Sequence, residues 1–435
     1  MCALSPKTNV PRIIITTQVY PPEIHPTAVM VRELAEYLVS VGWDVTVCAG
    51  YPHHPSGQLY PGWRKRLSER SCRGGVEIIR SWHLTYASRS IAARAATFIS
   101  QTLGSTLTAL CARRADVVLV FGPPLVGPNF GVLVALRHQA KLVTVIYDIY
   151  PDIAIEAGKV SHPLVIGAAR IAERIQYLRS DRIIVLSDGF KQRLVARGVP
   201  ERKVTVVPVW LDTEEIQPKE RLNAWRQEQG IDAGTQVVLY AGTIGIISNA
   251  RIVADVALRL RERDDVLFLF VGEGEEKAPA MRRVAELGLD NVRFLPFQPR
   301  ERLSEMMSTA DICLVTLARG RGLTSVPSKV QGYMAAGRPV IACVDEKSDT
   351  ARELLADDAG RVVQPEDAEA LASAIATALD DAAWRSSAGR RGRQALVDRY
   401  DRDKVLERFE AALSANVGET AARDEITVDG TDRAE

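Results

Sequence analysis

Short apolar runs rich in Val, Ile and Leu alternate along this chain with longer segments whose apolar positions recur every three to four residues. The runs IIITT (13–17), VTVCA (45–49), VVLVF (117–121), LVTVIYD (142–148), RIIVL (182–186) and VTVVP (204–208) predict strands. Helical periods fall between them, near 27–41, 89–114, 128–138, 162–179 and 188–197. Strands separated by helix-length segments make βαβ units, and so a parallel sheet covered on both faces. The scheme then restarts with VVLYAG (237–242), VLFLFVG (266–272), NVRFL (291–295), DICLVTL (311–317), PVIACV (339–344) and GRVVQP (360–365). Helical patterns near 250–263, 277–287, 300–308, 327–336, 349–356, 367–379 and 383–397 separate these.

The break between the two series, 212–234, is polar and contains Pro218, as an interdomain connection with a short helix would be. The pattern predicts an α/β protein of two doubly wound, Rossmann-like domains, 1–210 and 211–400, with no internal sequence repeat. A last helix over 401–415 is placed to return to the first domain. Residues 416–435 carry six acids, two Arg and few apolar side chains, a composition that predicts a disordered acidic tail. Two such sheets facing each other would leave a cleft at the carboxyl ends of their strands, where open parallel sheets bind ligands.

Composition narrows the function classes. The 435 residues hold 55 Lys and Arg against 54 Asp and Glu, so net charge does not point to nucleic acid. No apolar run approaches the roughly 20 residues of a membrane span, and the opening MCALSPKTNVPR has no apolar core, which points to the cytoplasm. The six cysteines form no CxxC pair and the six histidines no zinc spacing, so no metal is expected. Cys48, Cys313 and Cys343 lie inside apolar runs, where a thiol behaves as a small hydrophobe.

Candidate chemistry lies in the loops after strands. Tyr240 to Gly245 is followed by Ser248 and Asn249 before a helix, and Gly242 and Gly245 permit close backbone approach to an anion. The next strand ends in Gly272-Glu273-Gly274. Each loop also reads simply as a βα turn. The segment Arg319 to Lys329 brings Arg321, Thr324, Ser325, Ser328 and Lys329 to a helix start, a set suited to a diphosphate. In the first domain no GxGxxG follows the opening strand, which weakens a dinucleotide reading. His25 lies in that loop, where it could touch an acceptor; a lone loop histidine is more often incidental. Asp148 and Asp152 follow another strand, where a carboxylate suits sugar hydroxyls or orients an acceptor; the plainer reading is a helix cap. Residues 61–115 hold ten Lys or Arg against Glu69 and Glu77, beside an acid-free apolar helix, as an anionic membrane surface or a lipid diphosphate would require.

Several blocks together resemble glycosyltransferase family 4: YPPE (20–23), VVPVWLD (206–212), YAGTIG (240–245), VGEGEE (271–276), ADICLVTL (310–317) and PSKVQGYMAAGRPVIA (327–342), in order over about 12–413. PVWLD and PSK are most similar to the bacterial branch that adds sugars such as N-acetylfucosamine in O-antigen or colanic-acid-type synthesis. The resemblance implies a GT-B fold and retaining transfer from a nucleotide-diphosphate sugar, without an essential metal or other cofactor. The acceptor would be a lipid-carrier-linked saccharide held by the first domain at the inner face of the plasma membrane. Thr243, Gly245 and Asn249 would then lie near the diphosphate, with Arg321, Thr324, Ser325, Ser328 and Lys329, while Glu273 lines the nucleotide pocket. Asp148 and Lys329 would carry the chemistry, and His25 and Asp152 would face the acceptor. The family's two glutamates fall at Thr324 and Gly332, so that donor-sugar contact is missing. A nucleotide-sugar 2-epimerase of the same fold and a non-catalytic sugar-nucleotide-binding protein are the rival readings.

Overall fold

A computed structural model of the chain describes residues 10–428 apart from 24, 55, 88–89, 122–124, 157–159, 246–247 and 321–328. The chain divides into two compact units, one of Met1–Val207 with Leu406–Glu435 and one of Pro208–Val405.

The first unit is built on strands β1 (Arg12–Thr17), β2 (Asp44–Gly50), β3 (Ser68–Arg73), β4 (Val76–Ser81), β5 (Val117–Phe121), β6 (Lys141–Ile146), β7 (Arg182–Val185) and β8 (Val204–Val206). They form one sheet in the order β3-β4-β2-β1-β5-β6-β7-β8, parallel except for the β3–β4 hairpin. Its helices are α1 (Pro26–Ser40), α2 (Ile91–Leu110), α3 (Gly127–His138), α4 (Asp152–Glu156), α5 (Pro163–Arg179) and α6 (Asp188–Ala196). In α1 the buried residues Ala28, Val31, Leu34, Ala35 and Leu38 trace a helical stripe, and the His25 ring caps the first turn by accepting from Thr27 N at 3.2 Å.

The second unit carries α7 (Ala224–Glu228), β9 (Gln236–Ala241), α8 (Ile252–Arg259), β10 (Val266–Val271), α9 (Lys277–Glu286), β11 (Val292–Leu295), α10 (Leu303–Ser308) and β12 (Ile312–Thr316). It continues through α11 (Lys329–Ala335), β13 (Val340–Cys343), α12 (Asp349–Ala356), β14 (Gly360–Val363), α13 (Ala368–Asp380) and α14 (Ala382–Arg399). Its six strands are all parallel, in the order β11-β10-β9-β12-β13-β14. Every residue of β10 is buried, which is why VLFLFV reads as a continuous apolar run rather than an alternating one. Cys48, Cys313 and Cys343 are buried in the two cores.

The predicted strands all form, and the structure adds the β3–β4 hairpin. SERSCR is almost wholly exposed, so it lacks the alternation that marks a half-buried strand. The hairpin corrects the picture of 61–115 as one free basic surface. Arg80 is buried, donating to the carbonyls of Gly50 (2.7 Å), Tyr20 (3.3 Å) and Pro21 (2.5 Å). Lys65 donates to His83 O at 2.9 Å and Thr85 Oγ1 at 2.7 Å, while Arg70 pairs with Glu77 at 3.1 Å. Helix α15 (Arg402–Val428) buries Leu406, Phe409 and Leu413, with the Phe409 ring stacked on Phe121 at 5.9 Å. Its backbone stays helical through 416–428, where composition predicts disorder, because extending a packed helix needs no new nucleus.

One device recurs in both sheets. Asp116, Asp181 and Asp311 each precede a strand, and each carboxylate accepts, at 2.8 Å, an N–H from the first or second residue of the neighbouring strand: Arg12, Leu142 and Val237 respectively. Each aspartate also donates its own N–H to the carbonyl of that same partner residue at 2.9 Å. A strand start that would otherwise leave an orphan donor is closed by one side chain. Asp311 is buried and also holds Arg221 Nε at 2.8 Å. Asp311→Ala should cost roughly 1.5–3 kcal/mol in urea unfolding, the scale of a lost hydrogen bond to a charged group; a loss under about 0.5 kcal/mol would show that water replaces the carboxylate.

Candidate functional site

In the second unit the loops after β9 and β10 continue the ladder of their strands. Gly242 N donates to Val271 O at 2.9 Å, Ile244 N to Glu273 O at 2.9 Å, and Glu276 N to Ile244 O at 3.0 Å. This pairing brings backbone onto backbone. A Cβ on Gly272 would lie 1.9 Å from Gly242 O, and one on Gly274 would lie 2.2 Å from Ile244 O. Ser248 closes the turn, accepting from Gly245 N at 3.1 Å and donating to Gly245 O at 2.7 Å. Asn249 then adopts positive φ just before α8.

Two tyrosines fasten this shelf from below. Tyr240 OH donates to Thr243 O at 2.8 Å; Tyr333 OH accepts from Ala241 N at 2.8 Å and donates to Ala241 O at 3.1 Å. Burial pushes the Tyr240 phenol up to about 12, so both hydroxyls keep their protons. Lys329, the first residue of α11, reaches Tyr240 OH at 2.6 Å with its Nζ 3.8 Å from the ring centroid. A Cβ at Gly242 would lie only 3.5 Å from that Nζ, so the shelf and the lysine are adjacent. No carboxylate among the described residues pairs with it. Burial lowers the Lys329 pKa to about 7, which leaves the amine ready to gain a proton when an anion arrives.

The structure therefore gathers Gly242, Thr243, Gly245, Asn249, Glu273 and Lys329 at the carboxyl ends of β9 and β10. The Glu273 carboxylate is held by Lys277 at 2.6 Å, so its backbone carbonyl builds the shelf. Arg321, Thr324, Ser325 and Ser328 lie outside the described residues. Gly332, where the family glutamate would fall, has Met307 Cε 3.1 Å from the place of a Cβ, so the core occupies that position.

In the first unit, a cluster escaped the sequence reading. Four histidines meet at the carboxyl ends of β1, β2 and β4 around the buried carboxylate of Glu23. Glu23 Oε1 accepts from the backbone N of His53 and of His54, each at 3.0 Å, and Oε2 from Tyr20 N at 3.2 Å. His83 Nε2 lies 3.3 Å from His53 Nδ1, and the His25 and His54 rings meet edge-on at 4.9 Å. Gly50 makes room, since a Cβ there would fall 2.8 Å from the His83 ring. Burial, then His53, pushes His83 down to about 3, so this imidazole is neutral at pH 7. Burial, then His54, lowers His25 as well. Among the described residues no three such side chains are arranged to hold a metal ion. The adjacent pair His53-His54 just after a strand was the available signal; His83 needed the unforeseen β4 to join them.

Asp148 follows β6, half-buried, with no hydrogen-bond or ion-pair partner among the described residues, and burial raises its pKa. A carboxylate so placed is a candidate functional group. Asp152 is different. It is bound by Arg170 and Arg197, which also hold Glu173, so it belongs to an internal ion-pair network. His25 is spent on capping α1.

Two family models match the chain: residues 27–210 fit the glycosyl transferase 4-like domain and 223–395 fit the glycosyl transferases group 1. A putative colanic acid biosynthesis glycosyl transferase, WcaI of Escherichia coli, is 26% identical over 372 residues, covering 83% of this chain and 90% of the relative. A probable glycosyltransferase, WbjE of Pseudomonas aeruginosa, is 25% identical over 71% of this chain and 77% of its own. Among solved structures, Anabaena Alr3699/HepE in complex with UDP superposes with a TM-score of 0.67 at 16% identity, covering 93% of this chain and 100% of that one. That likeness shows the fold.

The lysine yields a prediction with a counterintuitive sign. Lys329 has a folded pKa of about 7 against 10.5 for the free group, so folding expels its proton between those values and its burial penalty is full below pH 7. Lys329→Met should therefore melt above the wild type at pH 7, with the gap closing as pH rises toward 10.5. A variant melting below the wild type at pH 7 would mean that the Tyr240 contacts outweigh desolvation. Separately, Gly272→Ala should cost more than about 2 kcal/mol in urea unfolding, since the clash is with backbone and cannot be relieved by a rotamer change; an unchanged midpoint would show that the shelf is free to part.

Proposed function

This chain belongs to the group 1, family 4 glycosyltransferases of GT-B fold, and on that premise we propose that it moves a sugar, with retention, from a nucleotide-diphosphate sugar to a lipid-carrier-linked glycan in bacterial surface-polysaccharide synthesis. The observation that carries the reading is Lys329, a buried amine that meets no carboxylate among the described residues and lies beside a shelf that only glycine can build. When the glycosidic bond to the diphosphate lengthens, negative charge gathers on the departing oxygens while the sugar turns oxocarbenium-like. A lysine that gains its proton as the diphosphate binds meets that charge at a fixed point and in low dielectric. With retention, the departing phosphate itself can take the acceptor's proton, so no pair of carboxylates is required. Asp148 in the first unit would orient an acceptor hydroxyl or stabilise the developing positive charge. The proposal needs no divalent metal, since Lys329 and the cationic and hydroxyl side chains that the sequence sets before it would meet the diphosphate. It places the enzyme at the inner face of the plasma membrane; among the described residues no helix is long and apolar enough to cross one.

UDP is the probe to use first, since a structural neighbour is described in complex with it. Lys329→Ala should weaken UDP binding by roughly ten- to hundredfold in calorimetry, the value of one charged hydrogen bond. Unchanged affinity would move the diphosphate elsewhere. Sugar transfer should also survive EDTA; loss on chelation, restored by magnesium or manganese, would overturn the metal-free mechanism.

A further inference from the structure

Among the described residues, ten of the nineteen large hydrophobic side chains left exposed lie on just three helices of the first unit, α2, α3 and α5. These helices are neighbours, α3 packing against both α2 and α5. Their exposed residues form rows rather than scatter. Ile99, Leu103 and Leu107 recur every four residues along α2, and Leu133 and Leu136 share a face of α3. On α5, Ile171, Ile175 and Leu178 repeat at four and three residues, with Ile171 64% and Leu178 65% exposed. Single exposed leucines need no explanation, but aligned rows on adjacent helices mark an interaction surface.

The charge on this surface has one sign. The three helices together contain a single acid, Glu173, and it is buried between Arg170, Arg197 and Tyr177. Arg137, Arg174 and Arg179 are exposed on the same helices, and Arg113 follows α2; none has a carboxylate partner among the described residues. Beside Arg174 and Leu178 the surface opens into a cavity of about 530 Å3 that Tyr177, Lys203 and the ion-paired Glu173, Arg170 and Arg197 also line. That volume is in the range of small-molecule sites, so a phosphate headgroup entering there would meet Arg174.

We propose that the outer face of α2, α3 and α5 docks this protein on an anionic phospholipid bilayer, a proposal that rests on the lipid-borne acceptor. Apolar rows rimmed by arginines that meet no carboxylate among the described residues match the interface of such a bilayer, with the leucines below the headgroups and the guanidinium groups at phosphate level. A second copy of the chain fits poorly, because a self-facing contact would set the same arginines against each other. The docking face thereby moves off the β3–β4 side, where Lys65, Arg70 and Arg80 are engaged within the unit.

The test is flotation of the full chain with phosphatidylcholine vesicles, with and without phosphatidylglycerol. The wild type should associate with the anionic vesicles at low salt and release as salt rises. Ile171→Ser, Ile175→Ser and Leu178→Ser combined should lower that association at least about tenfold, given the apolar area removed, while UDP binding stays intact. Arg174→Glu with Arg179→Glu should do the same, whereas Arg64→Glu with Arg66→Glu should change it by less than about threefold. A wild type that binds UDP but does not float, or a serine variant that floats like the wild type, overturns the docking face and leaves the transferase reading standing. Sedimentation showing a wild-type dimer that the serine variant dissolves would assign the face to a second copy instead. Failure to bind UDP would count against the transferase reading rather than the docking face.

Discussion

The loops that follow β9 and β10 are joined at two places where backbone meets backbone too closely for any side chain. Gly272 and Gly274 let the β10 loop lie directly on the β9 loop, so the hydrogen-bond ladder of the sheet runs past the ends of its strands. A turn after a strand is ordinarily a mobile connection; here it is an extension of the sheet. The buried tyrosines then fix its underside, and the lysine is held at its edge. Rigidity of this kind matters for a charged leaving group, because fixed dipoles stabilise developing charge without reorganising.

The two units solve their electrostatics in different ways. Among its described residues, the second leaves the Lys329 amine without a carboxylate, and burial lowers its pKa to about 7. The first satisfies its buried charges internally. Glu23 is saturated by backbone N–H groups, Arg80 by carbonyls, and Asp152 with Glu173 by two arginines. Asp148 stands apart from this economy as a half-buried carboxylate whose pKa burial raises. Groups left unsatisfied inside an otherwise satisfied structure are where binding and chemistry concentrate.

Much of this was legible in the amino-acid sequence, for physical reasons that also mark where reading stops. Strands buried on both faces announce themselves as apolar runs, so VVLVF and VLFLFV were plain, whereas the exposed SERSCR carries no period. Loops after parallel strands pointed to Thr243, Gly245, Asn249, Glu273 and Lys329; the first four lie in the loops after β9 and β10, and Lys329 lies against Gly242. The same rule pointed to His25 and Asp152, which the structure uses as a helix cap and an ion-pair anchor; exposure of a loop residue depends on partners distant in sequence. Glu23, His53, His54 and His83 come from three segments whose meeting is set by sheet order, and no local spacing encodes that. The arginine-rich stretch around 61–115 was a correct count of charge but gave no hint of which guanidinium groups turn inward.

Lys329, with a pKa near neutrality, should take up a proton when a diphosphate binds beside it. Calorimetry of UDP binding in two buffers of different ionisation enthalpy measures the protons exchanged. At pH 8, above the value of about 7 for the free site, the account predicts uptake of close to one proton per UDP, absent in Lys329→Met. Binding with no proton uptake at that pH would contradict it.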